Sequence, residues 1–167
     1  SYFTIARSRW ATEPTSVTCI ERNPRYVEIG KKLVPEAHWI CADVFDWRDW
    51  WHDELNGKPF DWAIGNPPFG RVRRTENGPR YRGPDFEFHV IDIASQIADY
   101  GTFIIPQQSA SFQYSGRPYY ERQTKGRGVE FEKLTGLTME SGAGVDTSIF
   151  KDEWKDTNII CEIACFE

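Results

Sequence analysis

The chain has 167 residues, a net charge of −5 and seven Trp, which most simply makes one domain long enough to bury a core. The acidic balance by itself argues against a general polyanion binder, though the distribution of charge matters more than its sum. No apolar run approaches the roughly 18 residues of a membrane span and no secretory signal pattern opens the chain, so a cytoplasmic protein with no membrane partner is expected. Cys19, Cys41, Cys161 and Cys165 show no Cys-x-x-Cys spacing, and His38, His52 and His89 are scattered. Neither a disulfide framework nor a metal site is expected, and three of the cysteines read as small core residues.

Ser1 to Arg7 reads as the start of a helix with Ser1 as its N-cap. The chain does not open with Met, so something is expected to precede residue 1 or to have been removed. Ser16 to Glu21 is a short β-rich run ending in an acid, and Asn23-Pro24 opens a helix through Leu33. Tyr26, Ile29 and Leu33 supply its helical apolar spacing. His38 to Asp43 is a second strand ending in an acid, and Phe45 to Leu55 is a short helix or a Trp-rich turn. Asn56-Gly57-Lys58-Pro59 breaks the chain before a strand, Phe60 to Gly65, which is expected to be buried.

That strand delivers Asn66-Pro67-Pro68-Phe69 and Gly70. Residues 71–85 form an Arg-, Gly- and Pro-rich loop. Phe86 to Ala98 is an amphipathic helix with apolar positions at Phe86, Val90, Ile93 and Ile97. Tyr100 to Pro106 is a buried strand. Gln107 to Gly128 is polar and glycine-containing, with a short helix near Tyr119. The tail offers strands at Phe131–Leu137, around Ser148–Phe150 and at Asn158–Phe166. Alternating strands and helices up to Pro106 predict an α/β fold, a mostly parallel sheet with helices on both faces. The consecutive strands at the end predict an antiparallel C-terminal hairpin.

An Asn-Pro-Pro-aromatic turn at the end of a strand gathers a side-chain amide, a proline-fixed carbonyl and a ring around one volume. The sequence here resembles the class I S-adenosylmethionine-dependent methyltransferases, above all the N6-adenine type, whose catalytic motif is Asn/Asp-Pro-Pro-Tyr/Phe. The resemblance implies a Rossmann-like domain over residues 1–167, with Asn66, Pro67, Pro68 and Phe69 catalytic and S-adenosyl-L-methionine as cofactor. Glu21 matches the acid that binds the ribose hydroxyls. Asp43 with Val44 matches the motif that binds the cofactor's adenine, and Asn66 borders the same pocket. Counting back from Glu21 places the family's glycine-rich turn just before residue 1, so the chain is expected to be N-terminally incomplete, without the first strand and that loop.

Two basic segments follow strands that should end at the same edge as Asn66. Residues 71–84 carry Arg71, Arg73, Arg74, Arg80 and Arg82, and residues 114–128 carry Arg117, Arg122, Lys125 and Arg127 with Tyr114, Tyr119 and Tyr120 between them. Arginines that neutralise phosphates and rings that stack bases point to a nucleic-acid partner, DNA ahead of RNA. Glycine and charge in both loops suggest mobility without substrate. The expected activity is N6-adenine methylation. The alternatives are a ribosomal RNA adenine methyltransferase, a release-factor glutamine methyltransferase, and a nucleic-acid-binding domain that has lost catalysis. Only the loops remain to choose a sequence, which leaves room for weak specificity, an RNA substrate, or a specificity subunit or domain outside this chain.

Overall fold

The computed structural model describes residues 16–142, 144–153 and 158–167; the helix expected over residues 1–9 lies outside them. The chain divides into two compact units, Ser1–Lys58 and Pro59–Glu167.

In the first unit, β1 (Thr18–Glu21) and β2 (His38–Cys41) pair in parallel, with Glu21 opposite Cys41. Helix α1 (Pro24–Leu33) crosses between them. Asn23 caps it by accepting from the Arg25 N–H, Pro24 occupies the first turn, and Lys31 and Lys32 face the negative end of its dipole. The helix turns a different stripe inward from the one its large apolar residues suggest. Val27 and Gly30 are buried, whereas Tyr26, Ile29 and Leu33 are exposed. The cause is Trp39 on β2: a Cβ at residue 30 would stand 2.2 Å from its ring, so only glycine admits the indole. The Trp39 Nε1–H then donates to the Val34 carbonyl at 3.1 Å. A 3-10 turn (Val44–Asp46) leads into α2 (Trp47–Leu55), which stops at Asn56 and Gly57, both in the left-handed region.

The second unit holds a three-stranded sheet of order β3 (Phe60–Gly65), β4 (Ala98–Pro106), β7 (Cys161–Phe166). β3 and β4 are parallel, so the connection between them must cross over. It does so through the 71–85 loop and α3 (Phe86–Ile97), which runs directly into β4. β7 pairs antiparallel with β4, so the expected terminal hairpin is replaced by a distant edge strand. A small ribbon, β5 (Phe112–Gln113) with β6 (Glu121–Arg122), stands where a helix near Tyr119 was expected. β3 is less covered than a buried strand: Trp62 and Ile64 are exposed. The fold is α/β, with small parallel and mixed sheets among the described residues.

Two tail elements differ from expectation. The strand expected at Phe131–Leu137 is instead α4 (Arg127–Thr135). Glu132 and Lys133 suit a helix, Phe131 plugs its inner face into the core, and Gly136 at φ 77° closes it by donating to the Glu132 carbonyl. Ser148–Phe150 lies in a 3-10 segment, Thr147–Glu153. α4 and α3 meet through Phe131 and Phe88, whose rings stack with centroids 4.5 Å apart. Ile91, Phe103, Ile105, Phe112, Met139 and Phe166 complete that core. Among the described residues no helix is long and apolar enough to cross a membrane.

Gly128 in α4 lies against the main chain of Ser109–Ser111, where a Cβ would come within 2.5 Å of the Ala110 carbonyl carbon. Main chain on both sides cannot give way as a flexible side chain would. Gly128→Ala should therefore cost about 1–3 kcal/mol of stability, read as a lower denaturant midpoint. A midpoint unchanged by the added methyl would contradict the packing described.

Candidate active site

Strand β3 presents its carboxyl end through Gly65, a position where any Cβ would collide with the Phe103 ring at 2.6 Å. Asn66 is exposed, and among the described residues its side-chain amide has no hydrogen-bond partner. Pro67 is buried, Pro68 exposed and Phe69 half-buried. Gly70 ends the turn at φ 72°, a conformation that favours glycine. Its N–H donates to Glu87 Oε2 at 2.7 Å, and its carbonyl accepts from the Phe86 N–H at 2.8 Å. The turn is thus open at Asn66 and clamped at Gly70 on the first residues of α3.

In the first unit, parallel pairing brings Glu21 and Asp43 to the same end of the β1–β2 sheet. Glu21 Oε1 accepts from the Asn23 N–H at 2.7 Å, leaving lone pairs on both oxygens for further donors. Asp43 Oδ1 accepts from the Phe45 N–H at 3.1 Å, and Oδ2 has the exposed Arg22 at 3.4 Å. Val44 is the first residue of the 3-10 turn, so its N–H has no intrahelical acceptor. A carboxylate with spare acceptors beside a carboxylate–N–H pair fits a ribose diol and an adenine edge.

In the second unit, parallel β3 and β4 send the 66–85 and 107–126 loops out at one edge of their sheet. The nine cations expected to meet nucleic acid divide by what holds them. Arg80 reaches Asp92 at 2.8 Å, the Ser95 hydroxyl and the Thr135 carbonyl. Arg122 bridges Glu132 and Glu140, and Arg127 meets buried Asp85 at 2.6 Å. These three are neutralised within the fold. Arg74 and Arg82 bond only to neutral oxygens, of Asn77 and Gly83 and of Gly78 and Pro79, and Arg117 bonds to Gln113, so all three keep their charge. Arg71, Arg73 and Lys125 have no partner among the described residues. Arg71, Arg73, Arg74 and Arg82 line one open groove of about 540 Å³ with Val72, Gly83 and Pro84, starting five residues beyond Asn66.

From Arg74 onward the 71–85 loop is held by bonds within it and to α3. Asp92, wholly buried, accepts from the Arg80 and Tyr81 N–H groups at 2.6 and 2.8 Å as well as from the Arg80 guanidinium. His89 Nδ1 accepts from the Gly78 N–H at 2.8 Å, and Nε2 faces the Gly83 carbonyl at 2.9 Å. A carbonyl can only accept, so the proton sits on Nε2 and the imidazole is neutral. Burial pushes the Tyr81 phenol up to about 12, with Asp85 beside it.

On β7, Glu162 is buried and accepts from Gln107 Nε2 and from the Tyr114 and Ser115 N–H groups. On α3, Glu87 accepts from Ser109 as well as from Gly70. Neither carboxylate was among the expected site residues. The available signal was an acid flanked by Phe86 and Phe88, and another between Cys161 and Ile163. Among the described residues no group of His, Cys, Asp and Glu is placed to hold a metal ion. No protein-family model matches the chain, and no curated protein matches it in sequence.

Burial is the main cause that lowers the His89 pKa from its ordinary 6.5. The unfolded chain therefore takes up a proton at a pH where the folded chain does not. The His89 contribution to stability is complete above about pH 6.5 and is lost progressively as pH falls below it. Urea midpoints from pH 8 to pH 5 should fall less steeply for His89→Gln than for the wild type. Equal slopes would remove His89 as the group responsible.

Proposed function

We propose that the chain is the catalytic part of an S-adenosylmethionine-dependent N6-adenine methyltransferase acting on nucleic acid, DNA in the first instance. The observation that carries this is the turn at the end of β3. There an exposed amide, unpartnered among the described residues, is followed by two prolines, and the turn's exit is fixed at Gly70.

An exocyclic amino group is a weak nucleophile because its lone pair is shared with the ring. The Asn66 side-chain oxygen and the Pro67 carbonyl would each accept one N–H, drawing the nitrogen toward tetrahedral geometry and freeing that lone pair. Prolines at 67 and 68 restrict φ, so the acceptors need no reorganisation during the reaction. Phe69 would stack on a base turned out of its helix. The amino proton released on methylation leaves to water at the exposed Asn66. When bound, S-adenosylmethionine supplies an electrophilic methyl on a sulfonium. Glu21 would hold its ribose hydroxyls, and Asp43 with the Val44 N–H its adenine. The two acids share one end of a parallel sheet and keep acceptor sites open, in support of that role.

Four charged guanidiniums along one groove beside the turn favour a phosphodiester over a protein amide. The candidate grip comprises Arg71, Arg73, Arg74 and Arg82, with Lys125 and Arg117 on the neighbouring loop.

Transfer of labelled methyl to DNA, RNA and a glutamine-bearing release factor in parallel tests the proposal. Asn66→Ala should abolish most turnover while cofactor affinity stays within a few-fold. Glu21→Ala should weaken the cofactor by roughly 1.5–3 kcal/mol through two lost charge-assisted bonds. An active Asn66→Ala protein would sink the mechanism, and methyl transfer to the release factor alone would replace the substrate.

The cations make a separate forecast. Replacing Arg71 and Arg73 together should flatten the salt dependence of duplex binding by about 0.9 per lost phosphate contact. Replacing Arg122 should leave that slope unchanged, because Glu132 and Glu140 already occupy it. Equal slopes for both variants would rule against the groove.

A further inference from the structure

We infer that Glu87 is the positioning residue of the Asn66 turn, and that it couples this turn to the loop leaving β4. The inference rests on Asn66 being the group that meets the acceptor amine. Glu87 lies in the first turn of α3 and is wholly buried. Oε2 accepts from the Gly70 N–H and Oε1 from the Ser109 hydroxyl, each at 2.7 Å. Among the described residues no ion pair involves it, so these bonds, and not a cation, offset the desolvation of its carboxyl. An apolar side chain would fill the same space at lower cost and leave the Gly70 N–H unmatched.

What this bond fixes is the far end of a stiff segment. Gly70 is held on both sides, by Glu87 at its N–H and by the Phe86 N–H at its carbonyl. Between Gly70 and Asn66 stand Phe69 and two prolines, whose rings lock φ. The orientation of Gly70 therefore carries back to the Asn66 amide with little slack. Ser109 ends the 3-10 turn that follows β4, so one carboxylate spans the loops from both parallel strands. Movement of the 107–126 loop on binding would reach Asn66 through Glu87.

The test compares the full-length wild type with Glu87→Ala, Glu87→Gln, Ser109→Ala and Phe131→Leu, the last as a general destabilising control. Gly70 amide exchange, methyl-transfer kcat and KM, cofactor Kd and thermal midpoint are measured for each. Glu87→Ala should accelerate Gly70 exchange at least tenfold and lower kcat by roughly a hundredfold, the scale of a small misplacement of a catalytic group. Cofactor Kd should stay within about twofold, and Glu87→Gln, which keeps an acceptor for the Gly70 N–H, should recover most of the rate. Ser109→Ala should show the same pattern at several-fold scale, which keeps the inference testable if Glu87→Ala does not fold. Phe131→Leu should lower the midpoint while leaving kcat and the relative protection of Gly70 intact. Unchanged Gly70 exchange, or unchanged kcat, in both Glu87→Ala and Ser109→Ala would overturn the inference. A wild type that methylates none of the acceptors overturns the proposed activity instead. Exchange then decides the clamp alone: lost protection in Glu87→Ala supports it and retained protection overturns it.

Discussion

A carboxylate buried without a cation has to be met by N–H and O–H groups, and in the second unit those groups belong to the loops. Glu87 takes Gly70 and Ser109; Glu162 takes Gln107, Tyr114 and Ser115. Asp92 does have Arg80, yet it also receives the Arg80 and Tyr81 N–H groups. Charge-assisted bonds to main chain are stronger than neutral ones and fail expensively when one partner is removed. Loops that would otherwise be loosely solvated are therefore tied to α3 and β7.

The same device separates the arginines into two kinds. Those whose guanidinium meets a carboxylate, Arg80, Arg122 and Arg127, stiffen the framework and contribute little field to solvent. Arg74 and Arg82, bonded to carbonyls and an amide, and Arg71 and Arg73, without a partner among the described residues, keep a full positive charge and gather in one groove. An acidic protein can thereby hold a locally cationic surface, since the attraction of a phosphate decays within about a Debye length.

Most strands and helices were legible because their signals are local. Asn23-Pro24 opens α1, apolar runs mark β3 and β4, and the Phe86 to Ile97 periodicity marks α3. What was not legible depends on partners distant in sequence. The spacing of Tyr26, Ile29 and Leu33 declares a helix but says nothing of which stripe packs; Gly30, invisible to any count of apolar residues, decides that through Trp39. Phe131, Leu134 and Leu137 allow either a strand or a helix, and the Phe88 ring settles the choice. Counting arginines located the basic loops, but Asp85 lies 42 residues from Arg127 and could not be foreseen as its partner. Glu87 and Glu162 were missed because an acid in an apolar run reads as a solvent-facing interruption.

The struts grip main chain, and that has an evolutionary consequence. A bond to the N–H of Gly70, Arg80 or Ser115 is indifferent to nearly every side chain nearby. Arg71, Val72 and Arg73 project from the segment between Gly70 and the Arg80 anchor, and exchanging them leaves every strut in place. The lining of the groove can be rewritten residue by residue while the turn at Asn66 stays where it is. Under the proposed function, target and reaction would be able to diverge separately, because the rigid points of the second unit are drawn from the backbone.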